Sequence, residues 1–286
     1  MYISPLNNQQ TFCSNLKSPK LKFSQKDFFV KIKGYGKNKE WAKDMIETAD
    51  ITVSLIRYNY SIEKILRSIA FGVRRANNCT DDYAKIKHSG ILRIKRDGWR
   101  PPTKWVKFNL CTNYDGGKYK TYAQRLDYVK DNPIKNPYPD IDLSVPCFED
   151  GEKYIRHGNI ESINNVFTHV AEMYKDFSKF TKIDVQEQHL PEINDKIANI
   201  RWVLAHSTPW ERGSDSISNV LMRAMYKAVG VKSYPLAKGV SLDMEAFCTD
   251  LSEYKKNFSK YFVKPPKVIP NKKESLFSRI KNFFKD

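Results

Sequence analysis

Residues 191–247 read PEINDKIANIRWVLAHSTPWERGSDSISNVLMRAMYKAVGVKSYPLAKGVSLDMEAF, and this stretch predicts three helices separated by two loops, of which the first turns sharply. The first helix is predicted over residues 192–206, because apolar side chains recur three or four positions apart. They are Ile193, Ile197, Ile200 and Leu204. The second helix follows the loop, with Ser214 or Ser216 as the expected N-cap and Gly230 at its C-terminus. Its apolar face carries Ile217, Val220, Leu221, Ala224, Met225 and Ala228.

The loop at residues 207–215 is the candidate binding site. Gly213 lets the backbone turn tightly and approach a ligand. The free N–H groups of the next helical turn, together with the helix dipole, favour an anion. Arg212 supplies a planar, permanently charged group that suits phosphate or carboxylate. Arg212, Gly213 and Ser214 are therefore predicted to bind an anion, and the alternative is an ordinary surface turn, since Arg-Gly-Ser is a common tripeptide.

Composition indicates one large globular domain with appendages, because the 286 residues are 41% hydrophobic and 13% aromatic. The net charge of +17 indicates an acidic or phosphate-bearing partner, or the lysine enrichment of an AT-rich genome. The five cysteines are an odd number without any C-x-x-C pair, which favours a reducing compartment over a disulfide framework. The five histidines have no metal-ligand spacing, so no metal site is expected.

Earlier in the chain, the pattern predicts helices over residues 40–58, 61–77 and 161–180, with Ser61 as an N-cap. Alternating residues at 91–96 and 104–109 predict two short strands or a hairpin. Basic and aromatic residues there could stack a base, but no nucleic-acid-binding motif supports a specific nucleic-acid partner. Residues 131–150 are rich in proline and aspartate and predict a long loop between two lobes.

The two ends of the chain differ from its middle. Residues 1–36 are polar, contain no signal peptide, and are predicted to be a flexible or secretion segment. Tyr2 excludes the Met-Gly signal for myristoylation. Residues 263–286 combine a proline-rich linker with a basic amphipathic helix at 275–286, which either binds an anionic host membrane or packs back onto the domain. Residues 37–262 form the predicted domain, and no apolar run is long enough to span a bilayer.

Three segments resemble the AvrB family of type III secreted avirulence effectors of plant-pathogenic bacteria, which belongs to the Fic/Doc/AvrB (Fido) fold group. They read PWERGS at 209–214, GVSLDMEAF at 239–247 and YIRHGN at 154–159, and looser similarity extends over most of residues 40–260. The resemblance implies a mainly α-helical Fido domain with a small second lobe that contains short strands.

The resemblance also implies a function. The protein would be secreted into a host cell, act in the cytoplasm or at a membrane, and transfer a sugar such as rhamnose from a nucleotide sugar to a host protein. It would be a monomer without a tightly bound cofactor, because the nucleotide sugar is a substrate. Arg212, Gly213, Ser214 and Asn159 would bind the donor, and Arg212, Asp243 and His157 would be catalytic. Alternatively, Asp243 pairs with Arg212 and simply locks the loop.

The loop departs from the Fic motif, whose histidine is the general base for nucleotidyl transfer. Alignment on Pro209 and Gly213 puts Thr208 at the histidine position, and His206 lies two residues too early. A threonine hydroxyl has too high a pKa to replace that base. AMP transfer by the Fic route is therefore the weaker alternative to sugar transfer, and a non-catalytic module that binds phosphate or a nucleotide is a third hypothesis.

Overall fold

The computed structural model describes residues 21–29, 38–78, 88–93, 103–104, 121–149 and 152–270. This part of the chain is mainly helical with a few short antiparallel strands, which confirms the predicted fold class. Its α-helices are α1 (Lys39–Arg57), α2 (Ile62–Asn77), α3 (Tyr122–Asp131), α4 (Ile163–Ser178), α5 (Leu190–Ser207), α6 (Ser214–Ala228), α7 (Leu242–Phe247) and α8 (Leu251–Asn257). Its strands are β1 (Thr103–Lys104), β2 (Val145–Glu149), β3 (Glu152–Arg156), β4 (Val231–Lys232) and β5 (Lys267–Val268).

Helices α1 and α2 form a hairpin that packs against α6. Each begins at a side-chain cap: Asn38 accepts a hydrogen bond from the backbone of Trp41, and Ser61 accepts one from Lys64. The predicted Ser61 cap is thus confirmed. The two helices approach closely at Gly72, where an added Cβ would lie 2.4 Å from Oγ1 of Thr48.

Helices α5 and α6 run through the main apolar core, and α4 packs against α5. The predicted helices are confirmed with bounds shifted by one or two residues, and Gly230 has a positive φ of 76° just beyond α6. The predicted N-cap is wrong. Gly213 is the N-cap of α6, and Ser214 is the first helical residue, with its hydroxyl donating to the carbonyl of Trp210 at 3.3 Å.

Residues 94–96 and 105–109, most of the segment predicted as two short strands or a hairpin, lie outside the described residues. Of the rest, strand β1 pairs with β3 in a three-stranded antiparallel sheet of order β1-β3-β2, and Leu92 forms an isolated bridge with Trp210. The predicted loop at 131–150 is also shorter than expected, because its last residues form β2. Strand β2 pairs with β3 so that Cys147 lies opposite Tyr154.

A second, smaller apolar cluster joins α3 and β3 to α7, and it lies apart from the main core. Its buried members are Tyr122, Leu126, Ile155, Met244 and Phe247. Helix α3 was not predicted, although Thr121 and Gln124 form a capping box at its start.

The chain ends lie mostly outside the described residues, and this includes the predicted helix at 275–286. Within the predicted N-terminal segment, residues 21–29 are described, and Phe28 is fully buried in the main core. In the described ranges no helix is long and apolar enough to cross a membrane.

Candidate functional site

The loop that precedes α6 is bounded by two residues in the left-handed conformation. Thr208, at the end of α5, has φ 40°, and Gly213 has φ 87°. A Cβ at Gly213 would lie 3.2 Å from Cγ1 of Val73 on α2, so the loop is also pressed against that helix. The loop therefore turns sharply and ends at the first turn of α6. This is the tight turn that Gly213 predicted.

A short segment, residues 88–93, runs along this loop and is called the strap below. Backbone hydrogen bonds hold it there: Gly90 N–H donates to the carbonyl of Arg212 at 3.1 Å, and Glu211 N–H donates to Ile91 at 2.9 Å. The imidazole Nδ1 of His88 lies 2.5 Å from a carboxylate oxygen of Glu211. The strap thus fixes the backbone of Arg212 while its side chain stays exposed.

Arg93 joins the strap to the segment that contains His157. Its buried guanidinium donates to the carbonyl of Gly158 at 2.6 Å and to those of Ser207 and Thr208 at 3.3 and 3.4 Å. Burial lowers the pKa of Arg93, an effect that nearby carboxylates oppose. One side chain therefore brings His157 and Gly158 beside the end of α5.

Residues 157–159 have little freedom to move. A Cβ at Gly158 would lie 1.9 Å from the carbonyl oxygen of Asp142, so only glycine fits there. The backbone N–H of Asn159 donates to the Asp142 carboxylate at 2.8 Å, and the Asn159 side chain accepts from the N–H of Ser162 at 3.1 Å. Asn159 thus supports the start of α4, while His157 lies 3.4 Å from the hydroxyl of Ser144.

His206 is completely buried, and both of its ring nitrogens face carbonyl oxygens. Nδ1 lies 3.1 Å from Ser144 O, and Nε2 lies 2.9 Å from Ala246 O. Burial lowers the pKa of His206 to about 4, against the effect of the two carbonyls. His206 is therefore enclosed in the core, where its ring cannot reach a substrate.

Asp243, the first acidic residue of α7, is bonded to Arg201 of α5 rather than to Arg212. Arg201 donates from Nη1 to Asp243 at 2.7 Å and from Nη2 to Asp215 in the first turn of α6. This corrects the predicted alternative in which Asp243 pairs with Arg212. Burial tends to lower the pKa of Arg201, but the carboxylates of Asp243 and Asp215 raise it above its ordinary value.

The predicted site residues thus lie on three segments at the two ends of the loop. Arg93 joins residues 157–159 to the end of α5, Arg201 joins Asp243 to the first turn of α6, and Arg212 and Gly213 precede that turn. Sequence reasoning missed both linking arginines. Arg201 carried a signal, because it follows Ile197 by four residues in the apolar row of α5, where a charged residue needs a buried partner.

The segments that carry the predicted site residues fall within a region of the chain that is similar to a known family. Residues 140–265 match the AvrB_AvrC family of avirulence proteins. The AvrB_AvrC match supports an AvrB-like avirulence effector, a class that is delivered to host cells. No curated protein matches the chain.

The AvrB_AvrC match includes every predicted site residue, from His157 to Asp243. It also includes Arg201 and its partner Asp215, but it leaves out α1, α2 and the strap. In the described ranges, no group of three or more His, Cys, Asp and Glu side chains is arranged to hold a metal ion.

Proposed function

We propose that the chain is a secreted effector enzyme of the Fido fold group that transfers a sugar, such as a deoxyhexose, from a nucleotide sugar to a host protein. The observation that carries this proposal is the exposed Arg212 beside Gly213, at the start of a helix whose first turn is tied to Asp243. A charged fork at a helix N-terminus is suited to a phosphate group.

In this mechanism the donor diphosphate lies against the backbone N–H groups of the first turn of α6. The bond between the sugar carbon and the phosphate oxygen breaks, and Arg212 neutralises the charge that develops on the leaving nucleoside diphosphate. The acceptor hydroxyl forms the new bond to the sugar carbon and gives its proton to Asp243. His157 and Asn159 lie on the segment that Arg93 joins to the end of α5, and in this mechanism they bind the donor from that side.

Nucleotidyl transfer by the Fic route has less support. Thr208, at the position of the Fic histidine, is buried, and its hydroxyl oxygen lies 3.3 Å from Nη1 of Arg93. His206 is enclosed in the core with both nitrogens against carbonyl oxygens. Neither side chain is placed to accept a proton from an acceptor hydroxyl.

The test is intact-mass measurement of host proteins after incubation with a panel of nucleotide sugars, with ATP as a separate arm. We expect a mass gain of one sugar residue, which Arg212→Ala abolishes and Arg74→Ala leaves unchanged, because Arg74 is an exposed arginine of α2 outside the site. A gain with ATP alone would support nucleotidyl transfer instead.

A third outcome separates an enzyme from a binding module. A module would give no covalent product with any donor, yet a nucleoside diphosphate would raise its melting temperature, and Arg212→Ala would remove that effect. The donor sugar, the base and the acceptor protein would be identified by the same panel. No tightly bound cofactor and no second subunit are part of this proposal.

A further inference from the structure

The side chain of Arg201 occupies an unusual position for a charged group. It lies on α5 and is only 1% exposed, while its two carboxylate partners are 43% exposed (Asp215) and 17% exposed (Asp243). Taking a guanidinium out of water is costly unless charged partners compensate it. Arg201 has two such partners, and each belongs to a different helix.

The two partners lie at the beginnings of two helices. Asp215 is in the first turn of α6, directly after Gly213 and Ser214, and Asp243 is in the first turn of α7. Two carboxylates and one guanidinium leave a net charge of −1 next to the place where the proposed donor phosphate binds. Without Arg201 that charge would be −2, and it would repel a phosphate.

We infer that Arg201 is a positioning residue with two roles in the proposed site. It holds the Asp243 carboxylate in place for the acceptor, and it neutralises Asp215 so that a phosphate can bind at the start of α6. This inference rests on the proposed function for the first role. The second role concerns only the binding of a phosphate-bearing ligand and stands without catalysis.

Four variants separate the roles. Arg201→Met removes both hydrogen bonds, and Asp215→Asn keeps the bond to Asp243 while removing one negative charge. The double variant Arg201→Met/Asp215→Asn removes the excess charge but leaves Asp243 unsupported. Lys255→Met is the matched control, because Lys255 forms a 2.9 Å ion pair with Asp195 that also joins α5 to another helix.

The binding measurement is titration of each variant with UDP and with GDP. Arg201→Met is expected to weaken nucleotide binding roughly tenfold or more, because the loss of the guanidinium makes the charge near the phosphates more negative. Asp215→Asn should bind as tightly as the wild type or more tightly. The double variant should regain most of the affinity, whereas Lys255→Met should not change it.

The catalytic measurement uses the nucleotide sugar that gives a product with the wild type. Arg201→Met and the double variant should both lose at least about a hundredfold in kcat, since a misplaced catalytic group has an effect of that order. Asp215→Asn should lose less kcat than Arg201→Met, because the bond from Arg201 to Asp243 remains. A general loss of stability would lower nucleotide binding and kcat together. The double variant should instead regain binding without regaining kcat, as expected if Arg201 positions Asp243.

Two results would overturn the inference. One is equal binding of nucleotide by Arg201→Met and the wild type, and the other is recovery of both binding and kcat in the double variant. If the wild type binds nucleotide but transfers no sugar, the proposed function fails. The binding series would then still decide whether Arg201 neutralises Asp215.

Discussion

Arg125 of α3 donates from Nη1 to Oε2 of Glu245 in α7 at 2.8 Å, and the two side chains are 5% and 0% exposed. The hydroxyl of Tyr122 donates to the other carboxylate oxygen of Glu245. Within the smaller apolar cluster, this buried ion pair connects α3 to α7, the helix that carries Asp243. The placement of Asp243 therefore depends on α3 as well as on Arg201.

Removing one member of this pair is expected to be costly, because the other charge stays buried without its partner. We expect Arg125→Met to lower the free energy of unfolding by about 3–5 kcal/mol. The combination Arg125→Met/Glu245→Gln should be less destabilised than the single variant, because no unpaired charge remains. Urea unfolding of the three proteins measures this, and a double variant that is less stable than Arg125→Met would contradict it.

His206 predicts a pH dependence of stability. Its folded pKa is about 4, below the value of about 6.5 for an unfolded histidine. Between these values the unfolded chain binds more protons, so the contribution is present above about pH 6.5 and is lost as the pH falls towards 4. The loss amounts to about 3 kcal/mol.

The measurement compares the wild type with His206→Gln in urea at pH 7 and at pH 4.5. The variant lacks the titrating group, so its stability should fall less over this interval. Identical falls for the two proteins would show that His206 does not titrate in this way. The other acidic and basic groups are the same in both proteins, so their contributions to the pH dependence of stability cancel in the comparison.

Gly158 and Gly213 should respond differently to alanine. At Gly158 a Cβ would collide with the Asp142 backbone, so the segment must move, and we expect a loss above about 2 kcal/mol. At Gly213 an alanine would have to adopt a left-handed φ, which costs about 1–2 kcal/mol. Its Cβ would also approach a methyl group of Val73, but that side chain can shift to make room. Thermal unfolding measures which of the two alanine variants is less stable. If Gly213→Ala were the less stable one, the backbone at Gly158 would have moved away from Asp142 at little cost.

Arg93→Met tests whether one side chain holds the strap, residues 157–159 and the loop together. A buried hydrogen bond from a charged group contributes about 1.5–3 kcal/mol. We expect amide hydrogen exchange at residues 157–159 and 208–213 to accelerate by about tenfold or more, while the core of α6 keeps its protection. Acceleration throughout α6 would indicate global destabilisation instead.

The sequence of residues 275–286 predicts binding to anionic membranes, and a truncation tests it. The cut belongs after Pro270, because β5 pairs with β4 and Val268 is buried. Full-length protein should sediment with phosphatidylserine vesicles and be released by salt, whereas the truncated protein should stay in solution. Equal sedimentation of both would exclude the tail as the membrane anchor, and insolubility of the truncated protein would show that the tail covers the domain.

Periodicity predicted α1, α2, α4, α5 and α6 because each buries one continuous apolar face. It did not predict the buried arginines Arg93, Arg125 and Arg201, because their burial depends on partners that lie between 14 and 120 positions away in the sequence. The strand pairing of β1 with β3 is equally non-local and was not predicted. Consequently the sharp loop before α6 was predictable from the sequence, whereas the contacts that orient Asp243 and His157 were not.

The side chain of Arg57 donates to the carbonyls of Lys227 and Ala228 at the C-terminal end of α6, and Val73 lies against Gly213 at its other end. Both residues precede position 140, where the AvrB_AvrC match begins. A fragment limited to residues 140–265 would lose the support at each end of its central helix and expose the face that α1 and α2 cover. The region that matches the family is therefore supported by residues outside it, and we expect a fragment of residues 140–265 to be less stable than the whole chain.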